Sequence, residues 1–322
     1  MVEGATPRIT LREIFGLTPL IPALQDGWHS IAGNPYDPPS RWGLSSLRIF
    51  KPTIGLPAWL GRRRPDRRVP IYNFFNRSPH PLDEGYSVRV THARDVQGGH
   101  FTYDGHLGTD FAVPVGTTVV AGAPGRVLRV RNDLGHGGLK VCIDHGGGLF
   151  TTSSHLSRAL VRVGQTVRRG EPVGLSGASG VELILFFPWV APHLHYNVWL
   201  DGQPVDPFAA PGTGEVPIWR GGDPRPWDGV AVPEDEAFRP SEWDAEGVEA
   251  SIQACRDPAI RERARALPSL ELQAAEMLIM RNFRSACFER FPRMYRERGE
   301  RRSCLDLPFR REDFVGVAMP GE

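Results

Sequence analysis

Four histidines and one aspartate in the middle of this chain are spaced as metal ligands and proton carriers are. In His106-Leu-Gly-Thr-Asp110 an imidazole and a carboxylate stand at i and i+4, and in His193-Leu-His195 two imidazoles stand at i and i+2. Side chains alternate along a strand with a period of two, so each pair would share one face. His155 closes a third strand-like run, Phe150-Thr-Thr-Ser-Ser-His155-Leu. Three β-segments can therefore converge three to five ligand-type side chains. Zinc explains why such residues would gather. A catalytic zinc takes three N/O ligands and keeps one position for water, whose pKa falls from about 15.7 to about 7. Two His and one Asp meet that count, and a further His nearby is left to move protons and stabilise an oxyanion. A lone His, or His-x-His by itself, arises readily in alternating strands. The specific signal is the order: H-x-x-x-D, then a His before Leu, then H-x-H.

The elements that must position these residues are strands. Short runs of Val, Ile, Leu and Thr alternate with glycine turns at Tyr86–Thr91, Thr117–Ala121, Gly125–Arg131, Leu139–Asp144, Leu149–His155 and His193–Leu200. Runs spaced by about ten residues predict an all-β sandwich or barrel over residues 86–210. Pro114-Val-Gly-Thr-Thr-Val and Val163-Gly-Gln-Thr-Val-Arg-Arg-Gly repeat a turn-plus-strand unit of the kind seen in lipoyl and biotinyl carriers. A carrier needs a modifiable lysine at a hairpin tip. Lys51 and Lys140 are the only lysines in the chain, so that reading falls.

Two flanks differ from this middle zone. Residues 1–85 are rich in Pro, Arg and Trp, with one amphipathic helix expected near Thr10–Phe15; their aromatic content predicts an extension that packs on the core. Residues 211–322 begin turn-rich and then read as helical, with Ser241 as an N-cap before Ala245–Cys255 and a second helix from Ser269 to about Phe291, ended by Pro292. Residues 281–302 hold eight Arg against three Glu, which reads as a solvated basic face.

The stretch from about Gly105 to Phe208 resembles the LytM/lysostaphin-type zinc metallopeptidases, the M23 family of peptidoglycan endopeptidases. The resemblance rests on His106-Leu-Gly-Thr-Asp110-Phe-Ala-Val-Pro-Val-Gly-Thr and Val141-Cys-Ile-Asp-His145-Gly-Gly-Gly. It continues through His155-Leu-Ser, Val163 to Gly170, Pro192-His193-Leu-His195-Tyr and Pro204-Val-Asp206-Pro-Phe208. It implies a mainly β fold, a small antiparallel sheet or barrel-sandwich core with the metal in a groove. It implies one zinc ion held by His106, Asp110 and His195, with His155 and His193 as catalytic non-ligand histidines. The reaction implied is hydrolysis of an amide by a metal-activated water, on peptide cross-links or bridges of peptidoglycan. Asn197, on the strand face of His195, is a candidate to orient that ligand, and Tyr103 is a candidate oxyanion donor. His145 fits a structural turn. His29, His80, His92, His100 and His136 have no partner pattern.

Three features depart from the family. The apolar Val181–Ala191 intervenes before Pro192-His193 and reads as a hydrophobic wall, a dimer contact or a longer hairpin. Ser153-Ser154 precedes His155 where relatives carry an aromatic and a small residue. The opening Met1-Val-Glu-Gly-Ala-Thr-Pro predicts no signal peptide, which leaves the cytoplasm or a non-Sec route, whereas the resemblance implies the cell envelope. These departures keep open a hydrolase acting on a non-wall, intracellular amide. A non-catalytic binding or activator module is disfavoured, because all five site residues are present. Thirty-eight basic against 37 acidic residues give no global case for a nucleic-acid partner, and no apolar run is long enough to span a membrane. Cys142, Cys255, Cys287 and Cys304 lack metal-type spacing and read as free thiols.

Overall fold

Alternation along one strand organises the molecule. In β9 (His193–Leu200) the residues Leu194, Tyr196 and Val198 enter one apolar core, while His193, His195 and Asn197 point to the opposite face. The computed structural model describes residues 8–77, 84–91, 94–96, 98–99, 102–224, 237–320 and 322. Around β9 it builds β1 (Arg68–Asn73), β2 (Thr109–Ala112), β3 (Thr118–Val120), β4 (Gly125–Asp133), β5 (Gly138–Asp144), β6 (Leu149–Ala159), β7 (Thr166–Val167), β8 (Pro172–Ser176), β10 (Gln203–Val205) and β11 (Gly316–Ala318). Hydrogen-bonded neighbours run β11-β1-β2-β9-β6-β5-β4-β7, with β10 on β9 and β8 between β3 and β6. The pairs are antiparallel except β1 with β11, so the sheet is mixed rather than purely antiparallel. The fold is mainly β, and both flanks add a strand to it. β1 escaped the sequence reading because Pro70 sits inside a six-residue strand, where it lacks a donor. Tyr86–Thr91, expected as a strand, contributes only an isolated bridge from Ser87 to Arg41.

One face of the sheet packs Val69, Ile71, Phe111, Val127 and Tyr196 against Trp219, Leu305 and Phe309 from the C-terminal flank. The other face is covered in two parts. At one end Leu128, Cys142, Phe150 and Trp199 meet α5 (Ala245–Ala254), α6 (Pro258–Arg265) and α7 (Leu270–Phe283). At the other end Tyr72, Ala112, Ala178 and Leu183 meet the N-terminal flank. That flank is more helical than its composition suggested: α1 (Leu11–Ile14), α2 (Leu20–Ala32), a 3₁₀ turn over Leu44–Ile49 and α3 (Pro52–Trp59). The Thr10 capping box of α1 forms as the sequence allows. Val181–Ala191 is not a longer hairpin. It opens as α4 (Val181–Leu185), whose Leu183 is buried while Phe186 packs between Trp42 and Phe50.

The C-terminal helices correct two expectations. Asp244, not Ser241, caps α5; Ser241 instead donates to Asp144 and accepts from the Gly148 amide. Ser269 does cap α7, but the helix ends at Arg284 rather than at Pro292. There the Arg284 side chain turns inward to Asp37 at 3.0 Å, so residues 281–302 do not form one basic helical face. The four cysteines are free thiols.

Among the described residues no helix is long and apolar enough to cross a membrane. What anchors the helices to the sheet is Glu276. It is fully buried and receives Arg129 at 2.5 Å and Arg131 at 2.8 Å from β4, and Arg263 at 2.7 Å from α6. Burial would raise its carboxyl, but the three guanidiniums outweigh that and hold it below the usual range. Its stabilisation is therefore present above the unfolded carboxylate pKa, about 4.3, and is lost as pH falls through the lower folded value. Glu276→Ala leaves the guanidiniums uncompensated and should cost about 3–5 kcal/mol in urea unfolding at pH 7. The gap from the unsubstituted chain should narrow as acid protonates Glu276.

Candidate active site

Cross-strand register sets the centre of the site. Asp110 on β2 lies opposite His195 on β9, and Ala112 lies opposite His193. His106 is not on a strand, as its spacing suggested. It precedes β2 on a turn, where its carbonyl accepts from the Asn76 amide at 2.7 Å. Its Nδ1 donates to the Phe74 carbonyl at 2.6 Å. A carbonyl only accepts, so the proton is on Nδ1 and Nε2 presents a lone pair. That Nε2 lies 3.0 Å from Asp110 Oδ1 and 3.1 Å from His195 Nδ1, and Asp110 Oδ1 lies 2.7 Å from His195 Nδ1. His106, Asp110 and His195 are thus brought together as a group able to hold a metal ion, and all three are buried.

The donor set fits a divalent metal. Two imidazole nitrogens and a carboxylate oxygen crowd one point, an arrangement that repels unless a proton or a cation lies among them. N/N/O donors of this kind suit zinc. Burial alone would raise the Asp110 carboxyl, but His106, His193 and His195 hold it well below the ordinary range, so it is a carboxylate at neutral pH. Burial lowers His195, the Asp110 hydrogen bond opposing it. Asn197 lies 3.0 Å from His195 Nε2 and donates to the Leu107 carbonyl at 2.8 Å.

His155 and His193 face the same space. Their rings are 4.6 Å apart, and His155 is 5.9 Å from the His195 ring. Each gives its Nδ1 proton to a carbonyl, His155 to Ser179 at 2.6 Å and His193 to Ala191 at 2.8 Å, which turns both Nε2 lone pairs toward the site. His155 has φ of +60°, a left-handed conformation that costs a non-glycine residue on the order of 1 kcal/mol. The kink falls where β6 stops pairing with β9 at Ser154 and starts pairing with β8 at Leu156. It swings the imidazole off the strand's alternation and into the cluster. Burial, then His193 and His195, push His155 well below its ordinary value, so its ring is neutral at pH 7.

Tyr103 is not on a strand. Its ring lies 4.6 Å from that of His106, and its hydroxyl accepts from Tyr86 at 2.9 Å. Burial raises both phenols, so both stay protonated. His145 is bound elsewhere, to the Pro124 carbonyl and Thr151, as a turn residue. His29 is exposed on α2, His136 faces Asp37 at 3.3 Å, and His80, His92 and His100 lie outside the described residues.

Four contributors carried no sequence signal. Asn73 on β1 donates to Asp110 Oδ2 at 2.7 Å. Tyr72 stacks on His193 with centroids 5.6 Å apart. Lys51 donates to Asn73 Oδ1 at 3.1 Å, and burial lowers it to about 8 against the pull of Asp110 and Asp95. Glu182 on α4 places Oε1 3.5 Å from His155 Nε2, and burial pushes its carboxyl up to about 7.

Residues 104–207 match Peptidase family M23. The chain is 42% identical over 105 residues to the peptidoglycan DD-endopeptidase ShyA of Vibrio cholerae, covering 33% of this chain and 23% of that one. It is 41% identical over 110 residues to an uncharacterised metalloprotease of Haemophilus influenzae, covering 34% and 22%. It is 39% identical over 104 residues to the DD-carboxypeptidase/endopeptidase Mpg of Neisseria meningitidis, covering 32% and 22%. The chain thus spans less than a quarter of the length of these curated relatives. A solved zinc-containing peptidase from Vibrio cholerae aligns at 30% identity with a TM-score of 0.31, over 45% of this chain and 39% of that one.

Inside the matched stretch, Gly108 packs directly against His195. A Cβ there would lie 2.9 Å from His195 Cε1 and Nε2, and 2.8 Å from the Tyr196 carbonyl. Gly108→Ala should therefore displace the His195 ring and weaken divalent-metal binding about tenfold or more in chelator competition. Circular dichroism should stay close to that of the unsubstituted chain.

Proposed function

We propose that the chain is a zinc-dependent endopeptidase that hydrolyses peptide cross-links or bridges of peptidoglycan and works in the cell envelope. The observation that carries this reading is the convergence of Nε2 of His106, Oδ1 of Asp110 and Nδ1 of His195, 2.7 to 3.1 Å apart, beside two imidazoles whose tautomers are fixed. The relatives named as peptidoglycan DD-endopeptidase and DD-carboxypeptidase/endopeptidase support the substrate class.

His106, Asp110 and His195 would hold the ion. Zinc bound there supplies Lewis acidity, polarising a scissile carbonyl and acidifying water. The chain's own groups manage the protons. With Nδ1 committed to the Ser179 and Ala191 carbonyls, His155 and His193 can each take a proton only at Nε2. An imidazolium at His155 forms beside Glu182 Oε1 at 3.5 Å; one at His193 forms beside Asp110 Oδ2 at 3.7 Å. Each nascent cation therefore has a carboxyl group beside it, and the proton it holds is then available to the departing amine. Because Tyr86 donates to Tyr103, the Tyr103 proton is left to give to an oxyanion.

The test is digestion of purified cell wall, with released muropeptides read by mass spectrometry and zinc counted in each protein. His106→Ala and Asp110→Ala should lose both zinc and activity. His155→Ala and His193→Ala should keep zinc but lose about 10²–10⁴ in kcat/KM. Equal digestion by His106→Ala, or an unsubstituted protein that takes up no zinc, would falsify this function.

A further inference from the structure

We propose that Lys51 is a positioning residue that sets both arms of the site at once, orienting Asn73 against Asp110 and backing Tyr72 under His193. The proposal rests on the metal-binding reading above.

Lys51 lies in the N-terminal flank, at the start of α3 and outside the matched domain. Its ammonium donates to Asn73 Oδ1 at 3.1 Å and to the Tyr72 carbonyl. An ammonium offers only donors, so it fixes which end of the Asn73 amide faces it. The Asn73 Nδ2 is thereby turned to Asp110 Oδ2, at 2.7 Å. With Oδ2 occupied, Oδ1 is the oxygen left to His106 and His195, at 3.0 and 2.7 Å. Without Lys51 the amide could flip and set its own oxygen against the carboxylate. The second arm begins at the same atom. Nζ lies 4.8 Å from the centroid of the Tyr72 ring, which also stacks on the imidazole of His193. The Tyr72 hydroxyl is tied to the Ile49 carbonyl, so the ring is held between the flank and the site. One ammonium thus braces a metal-binding carboxylate through an amide and a proton carrier through an aromatic ring.

The experiment compares full-length unsubstituted chain, Lys51→Met, Lys51→Arg, Asn73→Ala and the Lys51→Met/Asn73→Ala double variant. Zinc affinity is measured by chelator competition on folded protein, and kcat and KM are measured separately. Lys51→Met and Asn73→Ala should each weaken zinc about 10–100-fold, and Lys51→Met should lower kcat more than it raises KM. The double variant should bind zinc no more weakly than either single one, because both changes cut the same link. Lys51→Arg should recover part of the affinity. A Lys51→Met protein with a lower Tm but unchanged zinc affinity and kcat overturns the proposal, as do additive losses in the double variant. If Lys51→Met does not fold, Asn73→Ala and Lys51→Arg decide: zinc affinity unchanged in both overturns the idea. An unsubstituted chain that binds zinc but releases no muropeptides overturns the substrate assigned above and leaves this proposal intact. One that binds no zinc overturns both.

Discussion

Two imidazole nitrogens and a carboxylate oxygen are made to face one another in this protein, and most of the architecture serves to hold them there. Nε2 of His106, Oδ1 of Asp110 and Nδ1 of His195 stand 2.7 to 3.1 Å apart in a buried setting. Such a cluster would spread if its members were free to rotate. Two of them are instead pinned through their other polar atom: His106 by the Phe74 carbonyl and Asp110 by the Asn73 amide. Both pins come from β1 and the residue after it, which precede the matched stretch. The N-terminal flank is therefore part of the ligand geometry. Removing it would leave a buried imidazole donor and a carboxylate oxygen unpaired, at about 1–3 kcal/mol each or more for the charged group.

The sheet allows a polar cluster of this kind to be buried because its two faces do different work. Leu194, Tyr196 and Val198 on β9 join a continuous apolar core with Phe111 and Val141. On the opposite face burial is divided between the helical cluster under Trp199 and the smaller cluster around Tyr72 and Leu183. The histidines occupy the seam between them. β9 therefore needs no polar residue in its main core and no apolar residue among the ligands. Its strict alternation satisfies both, and slipping its register by one residue would exchange them.

That alternation is also why β9 could be read from the sequence residue for residue, as could the grouping of His106, Asp110, His155, His193 and His195. Local pattern carried those features. What it could not carry depends on distant contacts. His106 reaches the cluster from a turn, held by Phe74 and Asn76, so strand spacing gave the right neighbours for the wrong reason. The α7 helix stops at Arg284 because that side chain finds Asp37, far away in sequence, before Pro292 can end it. Ser241 looks like a cap by type, yet Asp144 and Gly148 claim it, and Asp244 takes the helix. Lys51, Asn73 and Tyr72 lie in a Pro- and Arg-rich stretch with no periodicity. Lysine scarcity drew attention to Lys51 only as a residue type that was almost missing.

The apolar segment beginning at Val181 shows how a departure from family pattern is absorbed. Read as a wall or a hairpin, it would matter through its shape. Folded as α4, it delivers Glu182 to within 3.5 Å of His155 Nε2. His193 already faces Asp110 Oδ2 at 3.7 Å, so each of the two imidazoles has one carboxyl group beside it. The two pairs are not equivalent. Asp110 is bound by three histidines and Asn73 and stays ionised, whereas burial brings Glu182 up to about 7. His155 is also the residue held at positive φ, and that strain persists because its surroundings fix it from several sides. Its amide donates to Gly137 at 2.9 Å, Nδ1 donates to Ser179 at 2.6 Å, and the His193 ring closes the third direction. Ser179 is itself tied to Leu139 and Leu156, so the carbonyl that fixes the His155 tautomer cannot swing away. A strained imidazole so completely constrained has one nitrogen left to act with, and α4 sets a titratable carboxyl against that atom.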